Sequence, residues 1–443
     1  MIRNRAKLLD HGLVELRGIA LDVAETGLVA CDPGAAVERL VRIEHDALVV
    51  GEHRRALDPR GRVVVLGAGK ASLKVVVALE RVLGERLDGG IVTVRHGEAI
   101  ATPARVTVVQ AGHPLPDDAS FHAAKAMLAA ADALGPDDLL IACFTGGSSA
   151  LASLPPPQVG ADEKRDLHEK LLAAGLPIAA VNTVRKHVSA FKGGRLALAA
   201  APAAVVNLTV SDVPGDRLDV LTDPSVQDLS APEEARTILR DAGLWEAVAP
   251  SIRAHLDDPK AVTPDLSGVE IVSILLVTGA SACTSMAEAA RDAGFEPVVI
   301  GAALEGEAVE VGRSLAVEAV SRTDGPRSVL IGCGGESTVR LGVADSFGEG
   351  GPNQEAALAA AGPIAGLPFA AVFLDTDGSD GGTPVAGAII DGATAERADE
   401  SGLDLQATLA AHRSGAAVRA LGDGIRTGPT ATNVNDLFAI VVG

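Results

Sequence analysis

The sequence predicts a soluble α/β protein of two domains, each built on a mainly parallel sheet flanked by helices. Three observations carry that expectation. The chain has 443 residues, 47% of them hydrophobic and 22% charged, enough apolar material for two cores and too much for a disordered chain. Short β-branched runs alternate with Ala- and Leu-rich segments of helical length, the pattern of strands covered by helices. Nearly every run ends in glycine, serine or aspartate, and open α/β sheets hold their ligands beyond the carboxyl ends of their strands.

Taken in order, the strands are expected at Val63 to Leu66, Leu139 to Phe144, Val205 to Val210, Ile271 to Val277, Val298 to Ile300, Val329 to Cys333 and Ala371 to Leu374. A polar stretch from Asp212 to Pro232 interrupts the alternation, and a helical region follows it to Pro264. This places the boundary near residue 245, with a Rossmann-like domain over 1–245 and a second α/β domain over 246–443.

The first strand runs through Gly67-Ala-Gly69-Lys70-Ala-Ser72 into a helix. Backbone N–H groups at such a turn suit an anion, and Lys70 adds a full charge. As a dinucleotide fingerprint the segment is imperfect, because Ser72 stands where the third glycine belongs. A Walker A loop is excluded: Val64 occupies the leading glycine position, and Ala71 follows the lysine where Ser or Thr is needed. A tight turn with an exposed lysine is the plain alternative.

The second turn, Gly146-Gly147-Ser148-Ser149, offers two glycines and two hydroxyls that let phosphate oxygens approach the backbone. Arg185, Lys186, Lys192 and Arg195 then crowd four cations into eleven residues of a chain with nine lysines and a net charge of −20. Such local enrichment favours an anionic ligand, with solvated helix surface as the alternative. Asp212 follows directly on a strand end, where it can handle a metal or a hydroxyl, or merely close an Asx turn. Asp375, Asp377 and Asp380 fall within six residues, and carboxylates that close repel unless a proton or a cation such as Mg²⁺ separates them.

Composition narrows the partners. A strongly acidic balance repels nucleic acid and anionic membranes. With 2% aromatic residues and no tyrosine, base stacking has few platforms. Cys31, Cys143, Cys283 and Cys333 are widely spaced and match no zinc motif, so buried thiols in a reducing compartment are expected. No apolar run approaches the ~20 residues that span a bilayer, and no signal-peptide core follows the N-terminus. A cytoplasmic protein is the expectation.

The segments Gly67 to Ser72, Ala111-Gly-His-Pro-Leu-Pro-Asp117, Gly146 to Ala150, Asn182-Thr-Val-Arg-Lys-His187 with Lys192-Gly-Gly-Arg195, Ser211 to Asp216, Gly334-Gly-Glu-Ser-Thr338, Asp377 to Gly387 and Asn433-Val-Asn-Asp436 together resemble the glycerate 2-kinase family, the MOFRL-type or class II glycerate kinases. The resemblance covers most of the chain, and makes 246–443 the MOFRL-type domain. It implies an active site in the cleft between two α/β domains, with ATP, Mg²⁺ and D-glycerate as ligands and a monomer or homodimer as the assembly. It also implies transfer of the ATP γ-phosphoryl group to the C2 hydroxyl.

Lys70, Asp212 and Arg185 are then the catalytic candidates. Gly67, Gly69, Ser72, Gly146, Gly147, Ser148, Ser149, Lys192, Gly334, Glu336, Asn353 and Asn435 are the nucleotide-side candidates, with Asp377 and Asp380 for the metal. Two positions depart from the family pattern. Pro352 replaces the arginine of a G-G-R-N-Q-E segment, leaving Arg340, Arg185 or Arg195 to stand in, and Ala431 replaces a glycine of P-T-G-T-N.

Two other functions fit the same residues. An NAD(P)-dependent hydroxypyruvate or tartronate-semialdehyde reductase needs an acidic ribose-binding residue at a strand end, and Asp88 is at about the right distance but follows a helix. A non-catalytic sugar-acid binding protein would keep the fold and lose turnover.

Overall fold

The structure, a computed structural model, describes residues 1–98, 101–210, 218–301, 305–341 and 348–443. The chain forms two compact units, one of Pro33–Leu276 and one joining Met1–Asp32 to Val277–Gly443. They are called here the inserted unit and the terminal unit.

The inserted unit begins with an antiparallel sheet of β1 (Val41–Glu44), β2 (Ala47–Val50) and β3 (His53–Ala56). Its main sheet contains β4 (Val63–Ala68), β5 (Gly89–Arg95), β6 (Val106–Ala111), β7 (Leu139–Phe144), β8 (Ala204–Val210) and β9 (Ile271–Val277) in the order β6-β5-β4-β7-β8-β9. The pairings among β4 to β8 are parallel. This is the doubly wound Rossmann order, and the chain reverses direction across the sheet between β4 and β7. Strands buried on both faces read as continuous apolar runs, as Leu139–Phe144 does. Leu66, Leu140, Phe144, Phe191 and Val205 pack together with alanines between the layers, and Phe144 meets Phe191 edge-on at 5.8 Å.

A second core, of Leu167, Leu171, Val181, Val184, Leu239, Ile252 and Leu256, ties the helices Ala161–Ala173, Ile178–His187, Pro232–Asp241 and Pro250–Asp257 together. Trp245 packs on this cluster with the Arg240 guanidinium 4.7 Å from its ring centre. The boundary expected near 245 therefore falls within a packed helical group, and the compact unit continues to Leu276.

In the terminal unit, β10 (Glu296–Gly301), β11 (Gly306–Glu307), β12 (Ser328–Cys333), β13 (Ser337–Thr338), β14 (Phe369–Asp375), β15 (Gly387–Asp391), β16 (Gly424–Ile425) and β17 (Asp436–Val442) follow in sequence. The main sheet has the order β10-β12-β17-β14-β15-β16. Only its β10/β12 pair is parallel; β17 runs antiparallel to both neighbours, so this sheet is mixed rather than mainly parallel. The apolar run Leu437 to Val442, unassigned from sequence, is its central strand.

The N-terminal residues are held to this unit by the apolar face of helix Val14–Ala30, with Gly27 against Leu437 and Met286, and by a buried ion pair. Arg17, fully buried on helix Val14–Ala30, donates to Asp391 Oδ2 at 3.0 Å, Asp423 Oδ1 at 2.6 Å and the Leu8 carbonyl at 2.8 Å. A buried guanidinium with every partner in one unit binds its helix to that unit. Periodicity along the chain carries no trace of such a pairing across 374 residues.

Candidate active site

The switch point of the inserted unit brings the first two sequence motifs together. The Lys70 N–H donates to the Gly146 carbonyl at 2.9 Å, the Ala71 N–H to Thr145 Oγ1 at 3.1 Å, and Ser72 Oγ lies 3.1 Å from the same hydroxyl. Gly69 has φ +135°, and a Cβ there would come within 2.2 Å of Thr145 Oγ1. The two turns are thus one braced element.

This corrects the expected backbone cradle: the N–H groups of Lys70 and Ala71 are already taken by the neighbouring loop. Gly67, packed on the Cys143 carbonyl, and the buried Ser72 serve that bracing too. What faces outward is side-chain chemistry. Gly147, at φ +86°, lies against His113, where a Cβ would approach Nε2 to 3.0 Å and the Lys70 side chain to 3.8 Å.

His113, just beyond β6, was part of a quoted motif yet not among the selected residues. Burial, followed by the charges of Lys70, Arg95 and Arg185, holds its pKa down to about 4. A neutral imidazole therefore stands among three cations at pH 7. The signal in sequence was its place right after a strand, but β6 itself was unrecognised.

The cations at 185–195 divide. Lys186 pairs with Asp228 at 2.5 Å, and Arg195 donates to the Lys192 and Lys186 carbonyls at 2.8 and 3.3 Å. Lys192 is 1% exposed, its ammonium bonded to the Ala152 carbonyl at 2.6 Å, so it does not reach a nucleotide as expected. Arg185 differs. One Nη donates to Ser149 Oγ at 3.3 Å, while the buried Nε has no acceptor among the described residues. Burial lowers its pKa to about 10. Ser148 is buried and Ser149 only partly so, which leaves Ser149 as the hydroxyl on this face.

In the terminal unit, acidic residues gather at the ends of β14 and β17. Asp375 and Asp436 are register partners. Burial, then Asp377 and Asp436, pushes Asp375 well above the ordinary aspartate range. Burial also raises Asp436, against hydrogen bonds from Ser337 N at 2.8 Å, Ser337 Oγ at 2.7 Å and Asn353 Nδ2 at 2.6 Å.

Asp380, expected as a metal ligand, has another task. It accepts from the N–H groups of Asn353 at 3.0 Å and Gln354 at 2.9 Å and from Gln354 Nε2 at 2.9 Å, capping helix Pro352–Ala361. Burial pushes it up to about 6 despite those bonds. Asn353 bridges the cap to Asp436 and is buried, and Asn435 is a backbone corner at φ +64° whose carbonyl accepts from Thr376. Gly334 donates its N–H to the Asp436 carbonyl, whereas Glu336 and Arg340 are exposed.

Asp377 keeps one oxygen on the Ser379 N–H. Asp375 and Asp436 were not selected from sequence, although both stood in quoted segments. Among the described residues no group of three His, Cys, Asp or Glu is placed to hold a metal by itself. Asp212 lies outside the described residues.

These features define an α/β protein with convergent cations at the switch point of one unit and convergent carboxylates at the strand ends of the other. Residues 19–257 match a family described as a domain of unknown function (DUF4147), and residues 329–436 match the MOFRL family. The chain is 34% identical over 442 residues to a glycerate 2-kinase of Pyrococcus horikoshii, covering 96% of this chain and 98% of that one. A protein of Agrobacterium vitis provisionally named hydroxypyruvate reductase is 42% identical over 396 residues, 87% of this chain and 88% of its own. The crystal structure of glycerate kinase from Thermotoga maritima matches with a TM-score of 0.84 at 33% identity, covering 97% of this chain and all of that one. The chain belongs to the glycerate 2-kinase family.

Proposed function

We infer that this protein is a glycerate 2-kinase, which transfers the γ-phosphoryl group of ATP to the C2 hydroxyl of D-glycerate and yields 2-phospho-D-glycerate and ADP. The observation in the chain that carries this is the convergence of Lys70, His113 and Arg185 beside the Gly146–Ser149 turn. Phosphoryl transfer asks a protein mainly for positioning and for neutralising charge on the transferred group. In this reading Lys70 neutralises that group or the substrate carboxylate. Arg185, buried and without an acceptor at Nε among the described residues, fits an incoming oxyanion.

Asp375 and Asp436, raised by burial and by the charge of Asp377, would gain from a divalent cation held by one or two of these carboxylates. Mg²⁺ is commonly held by one or two carboxylates plus substrate phosphates, so no complete protein cage is required. When bound, it neutralises phosphate charge. The proton of the C2 hydroxyl passes to Asp377 or to Asp212, and Asp380 is withdrawn from that choice by its capping role.

The reductase reading loses its ribose acid. Asp88 accepts from the Val63 N–H at 2.7 Å, at the start of β4 and so at the opposite end of the sheet from the switch-point loops. The test is incubation of the purified protein with D-glycerate and Mg-ATP, and separately with hydroxypyruvate and NADH or NADPH. ADP formation with a 2-phosphoglycerate signal in ³¹P NMR is expected. Nicotinamide oxidation without ADP, or a 3-phospho product, refutes the kinase; glycerate binding without either turnover identifies a binding protein.

A further inference from the structure

Behind Arg185 and Ser149 lies a layer of buried basic side chains, two of them outside the motif positions. Lys164 and His168, one turn apart on helix Ala161–Ala173, are fully buried, and Lys192 joins them. The Lys164 ammonium donates to the Val188 carbonyl, at the residue that ends helix Ile178–His187. Lys192 donates to the Ala152 carbonyl, at the residue that ends the short helix Ser148–Leu151. Arg185 rides on the first of these helices and Ser149 on the second.

Two other carbonyls at the end of helix Ile178–His187 also accept from side chains: Lys186 O from Arg195 at 3.3 Å and His187 O from His255 Nε2 at 2.8 Å. Helix ends leave carbonyls without intrahelical partners, and cationic donors are the favourable way to satisfy them. Here those donors also fix where Arg185 points.

The arrangement is costly for an empty protein. Burial, then Arg185 and Arg195, lowers Lys164 to about 7, and burial, then Lys164 and Arg185, holds Lys192 well below its ordinary range. Among the described residues, both ring nitrogens of the buried His168 lack a partner, as does Arg185 Nε. Asp223, which bears on Lys192, already accepts from Ser225 and Asn207. Buried basic groups pair or shed their charge, and an oxyanion beside Arg185 favours the charged form of each.

We propose that Arg185 and Ser149 form an oxyanion receptor, for a hydroxy-acid carboxylate or a nucleotide phosphate, and that Lys164 and Lys192 are positioning residues holding the ends of the two helices that carry it. Only the choice between those two ligands rests on the kinase reading.

Calorimetric titration of the full chain with ADP and, separately, with D-glycerate tests this in wild type, Arg185→Met, Lys164→Met and the double variant. Arg185→Met weakens one of the two ligands about tenfold or more, the worth of a lost charge-assisted contact. Loss of ADP binding assigns a phosphate, and loss of glycerate binding a carboxylate. Lys164→Met weakens that same ligand about threefold or more, leaves the other within about twofold, and adds nothing in the Arg185→Met background.

A merely structural lysine would lower thermal stability and affect both ligands alike or neither. Should Lys164→Met fail to fold, Lys192→Met and Ser149→Ala carry the same comparison. Unchanged affinity for both ligands in Arg185→Met, or fully additive effects in the double variant, overturns the proposal. Because binding is the readout, absence of turnover would refute the kinase without touching this result.

Discussion

Asp375 and Asp436 face each other in register on the antiparallel strands β14 and β17. Burial raises both carboxyls above the ordinary aspartate range, and Asp377 adds repulsion to each. A raised folded pKa means the folded chain holds its proton more tightly than the unfolded chain. Their contribution to stability is therefore full below the ordinary value near ~4 and is lost as pH climbs through the folded values. Mg²⁺ competes with those protons, so it should raise the melting temperature more at pH 8 than at pH 5. At ten times its dissociation constant the gain is ~1.4 kcal/mol. Scanning calorimetry of wild type and Asp377→Asn checks this; equal gains at both pH values, or in the variant, contradict the metal assignment.

Asp380→Ala separates a helix cap from a metal ligand. Removing the carboxylate leaves the buried N–H groups of Asn353 and Gln354 without acceptors. The expected cost is ~2–3 kcal/mol in a denaturant titration, without magnesium present. A loss of activity with unchanged stability would return Asp380 to the metal.

Ala431 has φ +56°, a left-handed backbone that costs an alanine ~1–2 kcal/mol. Glycine relieves that strain and gives back part of it as unfolded-chain entropy. Ala431→Gly should therefore stabilise the protein by ~0.5–1 kcal/mol, read as a higher denaturation midpoint. A lower midpoint would show that the methyl group packs better than the backbone suffers.

Arg17→Met removes the guanidinium from between Asp391 and Asp423, both buried. Two carboxylates left without it make the expected destabilisation ~3–5 kcal/mol. The His11 imidazole, 2.8 Å from Asp423, and the Arg397 guanidinium remain on that carboxylate, so the smaller end of the range applies there. Thermal unfolding of the full chain checks it, and a change below ~1 kcal/mol would remove Arg17 as the anchor of the N-terminal helix.

Lys70→Ala should lower kcat about 100- to 1,000-fold, the usual loss when one preorganised charge is removed from a transition state. The fold should be retained, because the Lys70 backbone N–H still braces the loop against the Gly146 carbonyl. A steady-state assay with a parallel melting curve measures both. A variant with unchanged kcat would move the phosphoryl contact elsewhere.

The chain by itself determined the α/β class and all seven expected strands: those buried on both faces, such as Leu139–Phe144, are written as unbroken apolar runs, and the partly exposed Ile271–Val277 and Glu296–Gly301 still carry β-branched clusters. It also marked the turns at Lys70 and Gly146, since a chain that reverses at a strand end must use glycine there. It did not reveal β5 or β6, whose runs are diluted by Gly89, Gly90, Thr107 and Gln110. The loops themselves concealed which of their polar groups serve the fold. Lys192 and Asp380 look like ligand residues in sequence, and only tertiary structure supplies the Ala152 carbonyl and the helix end that occupy them. Lys164, His113 and Asp436 gain their meaning the same way. A hydrogen bond between residues tens or hundreds of positions apart leaves no local period in the chain, so the division of polar side chains between fold and site is decided in three dimensions.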